Sequence, residues 1–288
     1  MKIRQSRRLR VVWFLLVLVV VTLVYVVVGL CAASRSFGER EEVPYFLKSK
    51  SMERGKVVLL GDSLTQLGFG DGGFASELSH YYQRRLDVLN RGYAGYNSRW
   101  LLDLMREGYD NREVRLAVIF LGANDAALPG ERQHVPVDEY KKNLRHIVKI
   151  VDKSKIILIC PPPIDHSQRL AYQRERYGDK ATGILERTLE NTGTYAEACA
   201  ALADELNIPC VNIYDSMQAT SNWPTFLSDG LHLSKEGNQF LAKELIKAIE
   251  THLPELAVAP CPKTQNFGSS GSTSRLLPDA PWHDTIHI

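Results

Sequence analysis

The chain has 288 residues, 44% of them hydrophobic, and a formal net charge of +2 at pH 7. This length accommodates one α/β domain of catalytic size with appendages, because most domains run from about 50 to 250 residues. Beyond the amino terminus the charges nearly balance, so the chain lacks the basic excess typical of nucleic-acid binders and no nucleic-acid partner is expected.

The first feature along the chain is an uncharged apolar run at residues 11–33, preceded by a basic flank at residues 1–10. The run exceeds the roughly 20 residues with which a helix crosses a bilayer, and also the apolar core of about 7–15 residues of a cleaved signal peptide. We therefore favour an uncleaved transmembrane anchor over the cleaved signal peptide. The excess of Lys and Arg before the run predicts a cytoplasmic amino terminus and a lumenal or extracytoplasmic main body.

A charged segment without periodicity, residues 34–55, is predicted to be a tether, and strand-like and helix-like stretches alternate after it. The apolar strand-like runs lie at 56–60, 86–90, 116–121, 155–160 and 208–213. The helix-period stretches lie at 74–85, 98–106, 137–151, 184–206 and 234–252. This order predicts an α/β three-layer sandwich with a central parallel five-stranded sheet over residues 56–254. The Pro- and Ser-rich tail at 255–288 is expected to be partly disordered.

The predicted strands end at polar residues, and in such sheets ligands bind beyond the carboxyl ends of the strands. The first strand ends at Asp62 and Ser63, the second at the glycine-rich "NRGYAGYNSRW" and the third at Asn124. A late loop carries Asp229 and His232, whose spacing of three can bring a carboxylate beside an imidazole. Helix caps and turns explain each feature singly. Four separate segments that each offer a group required for acyl transfer are harder to explain by caps and turns alone, and together they favour a catalytic site.

The five cysteines have neither the close spacing of a zinc site nor the density of a disulfide scaffold. Cys160 and Cys210 lie in apolar strand-like runs, which predicts buried free thiols. The carboxyl-terminal "HDTIH" lacks the glutamate that follows the first histidine in metalloproteases. We therefore expect no metal site.

Four motifs, "GDSL", "GYAGYN", "GAND" and "DGLH", occur in the order of the four blocks of the GDSL, or SGNH, hydrolase superfamily, which the chain resembles. More narrowly, "DVLNRGYAGYNSRW", "ICPPPID" and "LSDGLHLSKEGN" resemble the isoamyl acetate-hydrolysing esterase branch of that superfamily. The resemblance implies a flavodoxin-like SGNH fold and the hydrolysis of carboxylic esters without a metal or organic cofactor.

Carried over residue by residue, the resemblance makes Ser63 the nucleophile, His232 the general base and Asp229 its orienting partner. A serine hydroxyl is a weak nucleophile at neutral pH, so a base must accept its proton during attack on a carbonyl carbon. The carboxylate then orients the imidazole and stabilises its charged form. The sequence contains no G-x-S-x-G motif, which argues against an ordinary α/β-hydrolase.

The same resemblance assigns the oxyanion hole to the backbone amides of Ser63 and Gly95 and to the side-chain amide of Asn124. The spacing of the motif leaves Gly92 as an alternative to Gly95. Such donors matter because negative charge develops on the carbonyl oxygen in the tetrahedral intermediate. Possible substrate-binding residues beside these groups are Asp62, Leu64, Tyr96 and Asn97.

The sequence thus predicts a membrane-anchored serine esterase that forms an acyl-enzyme with a small-molecule or lipid ester. A lipase, a thioesterase or a glycan O-acetylesterase of the same superfamily is the alternative within the enzyme class. An alternative from another class is a catalytically silent binding domain tethered to a membrane through residues 11–33.

Overall fold

The computed structural model describes residues 54–152 and 155–258. The predicted transmembrane anchor, nearly all of the predicted tether and the carboxyl-terminal tail after residue 258 lie outside these ranges. Over the residues described, no helix has both the length and the apolar character that crossing a bilayer requires.

Strands and helices alternate along the described chain. In chain order they are β1 (Gly55–Gly61), α1 (Ser63–Gln66), α2 (Phe74–Tyr81), β2 (Leu86–Gly92), α3 (Ser98–Gly108), β3 (Val114–Phe120), α4 (Val137–Val151), β4 (Lys155–Ile159), α5 (His166–Tyr177), α6 (Leu189–Leu206), β5 (Cys210–Val211), α7 (Ile213–Gln218) and α8 (Lys235–His252). Short 3₁₀ turns lie at Leu67–Phe69, Gly178–Lys180, Trp223–Phe226 and Pro254–Leu256.

The five strands form one parallel sheet in the order β2-β1-β3-β4-β5. In β1, Val57 and Leu59 pack with α2 and α8 on one face of the sheet, whereas Val58 and Leu60 pack with α3, α4 and α6 on the other. Because strand side chains alternate between faces, a strand covered on both sides is apolar on both, as residues 57–60 of β1 are. The predicted three-layer sandwich with a parallel five-stranded sheet is confirmed.

Helix α4 begins and ends at the residues that the apolar periodicity predicts, 137 and 151. Its buried side chains include Tyr140, Leu144, Ile147 and Val151, which recur at intervals of three or four residues on the side that faces the sheet. A continuous stripe of this kind makes a helix recognisable from its sequence.

The segment between β4 and α6 differs from the prediction. Helix α5 was not predicted, because its sequence "HSQRLAYQRERY" has no apolar stripe; the side chains that it buries are Arg169 and Gln173. Helix α6 begins at Leu189 instead of residue 184, because the Thr188 side chain accepts a hydrogen bond from the Asn191 amide and caps the helix there.

The last strand is also shorter than predicted. The apolar run at 208–213 predicts six strand residues, but only Cys210 and Val211 pair with β4. The Asn212 side chain then accepts a hydrogen bond from the Asp215 amide and begins α7. A strong helix cap therefore ends the strand that the apolar pattern would continue.

The strand order places a crevice at the carboxyl ends of β1 and β3, because the chain leaves β1 toward one edge of the sheet and returns to β3 on the other side. At the adjoining end of β2, Gly92 lets α1 approach closely, since a Cβ atom there would lie 2.1 Å from the Gln66 amide nitrogen. The residues that follow β1, β2 and β3 therefore converge on one edge of the sheet.

Candidate active site

Ser63 stands at the exit of β1, as the first residue of α1. The side chain of Asp62 caps this helix by accepting a hydrogen bond from the Leu64 amide at 2.9 Å. Ser63 is half-buried, and its Oγ lies 3.0 Å from Nε2 of His232, a residue 169 positions later. The helix cap is therefore Asp62, and the Ser63 hydroxyl instead faces an imidazole.

His232 lies in the loop that leads into α8, and its Nδ1 is 2.8 Å from Oδ2 of Asp229. The other carboxylate oxygen accepts the backbone amides of Leu231 at 3.0 Å and His232 at 2.8 Å. Burial disfavours ionisation of Asp229, but the hydrogen bonds from the His232 side chain and backbone outweigh it and lower its pKa to about 2. The ionised carboxylate favours the tautomer with hydrogen on Nδ1, leaving Nε2 to accept the Ser63 proton.

Gly230 makes the tight turn between these two residues possible. Its φ is +80°, and a Cβ atom there would lie 2.4 Å from the carbonyl oxygen of Asp165. Both the backbone angle and the close approach therefore require glycine. The spacing of three brings carboxylate and imidazole together through this turn, not through a helix.

Asn124 follows β3 and is nearly fully buried. Its Nδ2 donates one hydrogen bond to the Tyr96 carbonyl at 2.8 Å, which leaves the second N–H of the amide for another acceptor. Its Oδ1 accepts from Arg187 Nη2 at 2.9 Å and from Gln133 Nε2 at 3.1 Å. These two donors determine which end of the amide carries the oxygen.

The structure distinguishes the two glycines after β2. The Gly92 amide already donates to Oδ1 of Asn90 at 2.8 Å. Gly95 has a φ of +80°, and across residues 54–152 and 155–258 no hydrogen bond from its amide is formed. Its carbonyl accepts from Gln133 Nε2 at 2.8 Å, so the side chain that contacts Asn124 also holds Gly95. Of these two glycine amides, that of Gly95 is therefore the one left without an acceptor among the described residues.

Comparison with known proteins identifies the family. A family model described as GDSL-like lipase/acylhydrolase matches residues 57–245. The chain belongs to the GDSL-like lipase/acylhydrolase family. It is 48% identical over 204 residues to a GDSL esterase/lipase of Arabidopsis thaliana, an alignment covering 67% of this chain and 84% of the relative. It is 35% identical over 218 residues to the isoamyl acetate-hydrolyzing esterase of Saccharomyces cerevisiae, covering 71% and 90%.

Among solved structures, the lipase/acylhydrolase from Enterococcus faecalis matches with a TM-score of 0.56 and 24% identity, covering 68% of this chain and 95% of that one. This likeness concerns the fold. The family match and the similarity to the esterase relatives make the chain a hydrolase of ester bonds.

A buried network of charged residues joins the two halves of the hydrolase site, and the sequence analysis missed it. Arg169 Nη1 lies 3.4 Å from Oδ2 of Asp229, and Arg169 also forms an ion pair with Glu186. Glu186 Oε1 is 3.3 Å from Arg187, whose Nη2 reaches Asn124 and whose Nε donates to the Ala123 carbonyl at 2.8 Å. The network thus runs from the carboxylate beside His232 to the amide of Asn124.

Burial makes this network costly to break. The side chains of Arg169, Glu186 and Arg187 are only 11, 17 and 4% exposed. Burial opposes ionisation of Glu186, yet its backbone amide and the charge of Arg169 keep its pKa below the usual value. Charged groups removed from water are strongly destabilising once one partner is lost. The contacts that join the network to the site span 60 positions, from Arg169 to Asp229, and 63 positions, from Arg187 to Asn124, so no local sequence pattern marks them.

The predicted substrate-binding residues occupy different environments. Asp62 and Asn97 are fully buried and Leu64 nearly so, whereas Tyr96 is half-buried. Asn97 caps α3 by accepting from the Trp100 amide at 3.0 Å. The role of these residues in substrate binding stays a prediction.

Asp62 gives a pH-dependent prediction for stability. Burial raises its pKa to about 6, although the Leu64 amide opposes this effect, and its Oδ2 has no hydrogen-bond partner in the described part of the chain. Folded Asp62 therefore keeps its proton up to about pH 6, whereas in the unfolded chain Asp62 loses it near its ordinary pKa of 3.8. This tighter proton binding stabilises the folded state fully below pH 3.8, and the stabilisation is lost as the pH rises through about 6.

Asp62→Asn removes this titration and keeps the oxygen that caps α1. The variant's free energy of unfolding, relative to the native chain, is expected to rise between pH 4 and pH 8 by about 2–3 kcal/mol. Urea denaturation at both pH values measures the change. Asp71→Asn, at a side chain that is 91% exposed, is the matched control. A pH-independent difference for Asp62→Asn would show that the aspartate is ionised in the folded state.

Proposed function

We propose that this GDSL hydrolase is a serine esterase that cleaves carboxylic esters through an acyl-enzyme on Ser63. The observation that carries the proposal is the continuous chain of hydrogen bonds from Ser63 Oγ through His232 to Asp229, at 3.0 and 2.8 Å. An aligned hydroxyl, imidazole and carboxylate form the nucleophile, base and orienting group of acyl transfer.

In the first half-reaction, Ser63 Oγ attacks the carbonyl carbon of the ester while His232 Nε2 accepts the hydroxyl proton. The amides of Ser63 and Gly95 and the free N–H of Asn124 receive the oxyanion. The imidazolium then returns the proton to the leaving alcohol as the carbon–oxygen bond breaks. Water, deprotonated by the same imidazole, then attacks the acyl-enzyme. The resulting intermediate collapses to the free acid as its bond to Ser63 Oγ breaks, and the imidazolium returns the proton to Ser63 Oγ.

For the substrate, we propose esters of short acyl groups with small aliphatic alcohols. The similarity to the isoamyl acetate-hydrolyzing esterase of yeast supports this class. Leu67 and Phe69 are 57 and 44% exposed and lie in the turn directly after α1. They offer apolar surface beside the helix that carries Ser63, where an alkyl chain gains from leaving water.

A fluorophosphonate probe tests the proposed nucleophile. The folded chain is expected to be labelled stoichiometrically at Ser63, found by peptide mapping, and to lose hydrolysis of p-nitrophenyl acetate in step with labelling. Ser63→Ala is expected to remain unlabelled and inactive, while Ser79→Ala, on α2, serves as the matched control. Labelling at another serine contradicts the proposed site.

The substrate class is tested separately, with p-nitrophenyl esters of increasing acyl length. A preference for long acyl chains favours the lipase alternative, and faster cleavage of acyl thioesters favours the thioesterase. A native chain that neither reacts with the probe nor hydrolyses any ester indicates the catalytically silent binding domain.

We also propose that residues 11–33 anchor the hydrolase in a membrane, with a cytoplasmic amino terminus. The length of the apolar run and its basic flank support the proposal. The uncleaved chain is expected to resist extraction from membranes by alkaline carbonate. Its catalytic domain is expected to be protected from protease added to sealed microsomes until detergent opens them. A shortened, freely soluble product would indicate a cleaved signal peptide instead.

A further inference from the structure

Three thiols meet on the side of the sheet opposite α2 and α8, in a cluster that shares no residue with the ester-cleaving site. They are the three cysteines of the described residues: Cys160 follows β4, Cys199 lies in α6 and Cys210 begins β5. Their sulfur atoms all lie within 4.8 Å of one another, and those of Cys160 and Cys210 are 3.5 Å apart. Three elements that are separate along the chain therefore bring sulfur to one point.

The arrangement has the dimensions of a three-coordinate metal site. Burial of a single cysteine needs no ligand, because a free thiol packs like a small apolar group. Metal–sulfur bonds of about 2.3 Å, however, place three sulfurs in a plane around an ion about 4 Å from one another. Sulfurs already 3.5 to 4.8 Å apart can adopt that geometry with shifts of less than about 1 Å.

The donor set selects the kind of ion. Within the described ranges, no histidine or carboxylate joins the three sulfurs as a further ligand. Structural zinc sites almost always have four ligands, and calcium and magnesium bind oxygen. Cys160 and Cys199 are 0 and 1% exposed, which leaves no access for water as a fourth ligand on their side. Thiolates without hard donors favour soft ions such as Cu(I).

We propose that Cys160, Cys199 and Cys210 form a three-coordinate site for a soft monovalent metal ion, Cu(I). Each thiol that binds as a thiolate releases its proton to solvent, and neither copper nor sulfur changes its oxidation state. Cys210 is half-buried and lines a surface groove together with Pro209 and His252, which provides an entry path for the ion.

A disulfide fits the same cysteines less well. Cys210 pairs with Leu158 across β4 and β5, so Cys160 is its diagonal neighbour two residues further along. On parallel strands, with a rise of about 3.3 Å per residue and a spacing of about 4.8 Å between strands, this offset places the two Cα atoms about 8 Å apart. This is at or beyond the limit of about 7 Å within which a disulfide forms without backbone movement.

Competition with bicinchoninate for Cu(I), under anaerobic and reducing conditions, tests the site in the full-length chain. A Cys31→Ser/Cys261→Ser background removes the two cysteines outside the described residues. This background is expected to withdraw one equivalent of Cu(I) per chain and to melt at a higher temperature with Cu(I) than without. Esterase activity before the metal is added verifies that each protein is folded.

Cys210→Ser in the same background is the decisive variant, because this residue is only half-buried and serine preserves its size. Its affinity for Cu(I) is expected to fall by more than about 100-fold. Loss of a residue that only hydrogen-bonds a metal ligand costs roughly 10- to 100-fold, so a larger loss identifies Cys210 as a ligand itself. Cys199→Ala is expected to have the same effect. The proposal is overturned if the background withdraws no Cu(I), if Cys210→Ser binds it unchanged, or if the purified native chain contains a Cys160–Cys210 disulfide.

Discussion

Replacing His232 by alanine is expected to lower kcat for a short-chain ester by about 10⁶-fold. Nε2 of His232 is the acceptor that lies 3.0 Å from Ser63 Oγ, and without it the hydroxyl keeps its proton during attack. Activity above the uncatalysed rate is expected to persist, because the oxyanion donors remain. Steady-state hydrolysis of p-nitrophenyl acetate, with the initial burst that reports acylation, measures the effect.

Asp229→Asn is the companion to this experiment. It preserves the size of the side chain but removes the charge that favours the Nδ1–H tautomer, so kcat is expected to fall by about 10⁴-fold. The exposed Asp71→Asn variant, whose carboxylate pairs with Lys235 at the surface, is expected to retain full activity. A His232→Ala variant that folds and keeps kcat within about tenfold of the native value would falsify the proposed base.

Replacing Arg187 by methionine is expected to lower kcat by about 100- to 1,000-fold with little change in KM. Arg187 touches neither Ser63 nor His232; we expect it to act as a positioning residue, because it donates to Asn124 Oδ1 at 2.9 Å. Without Arg187, the Asn124 oxygen keeps only the hydrogen bond from Gln133 Nε2 at 3.1 Å, and Gln133 Oε1 loses the donor that Arg187 Nη2 provides at 2.6 Å. The Asn124 amide is then held less firmly and can turn its oxygen, instead of an N–H, toward the developing oxyanion. The loss therefore appears in the transition state, where the charge forms.

A double-mutant cycle separates positioning from simple destabilisation. Asn124→Ala alone is expected to cost about as much as Arg187→Met, and the double variant little more than either, because both changes remove the same donor. Arg187→Lys keeps a charge without the forked guanidinium and is expected to recover activity only partly. Fully additive losses, or a loss in Arg187→Met confined to thermal stability, contradict a positioning role.

Much of the fold could be predicted because its signals are local. The apolar runs that become β1 to β4 and the stripe of α4 appear within windows of a few residues, and the strand ends place Ser63 and Asn124 at the edge where ligands bind. The order of the sequence motifs then indicates Asp229 and His232 as candidate site residues. The structure brings the hydroxyl, the imidazole and the carboxylate together, while their catalytic roles stay predictions for the experiments above.

Local patterns are enough to predict the alternation of buried strands and amphipathic helices, since burial of apolar side chains imposes a period of two or of 3.6 residues. They do not reveal where α5 forms, that Arg169 and Arg187 connect the two halves of the site, or which of the two glycine amides lacks an acceptor among the described residues. These features depend on hydrogen bonds and ion pairs between residues far apart in the chain. Such contacts exist only after folding has removed the groups from water, so no local pattern records them.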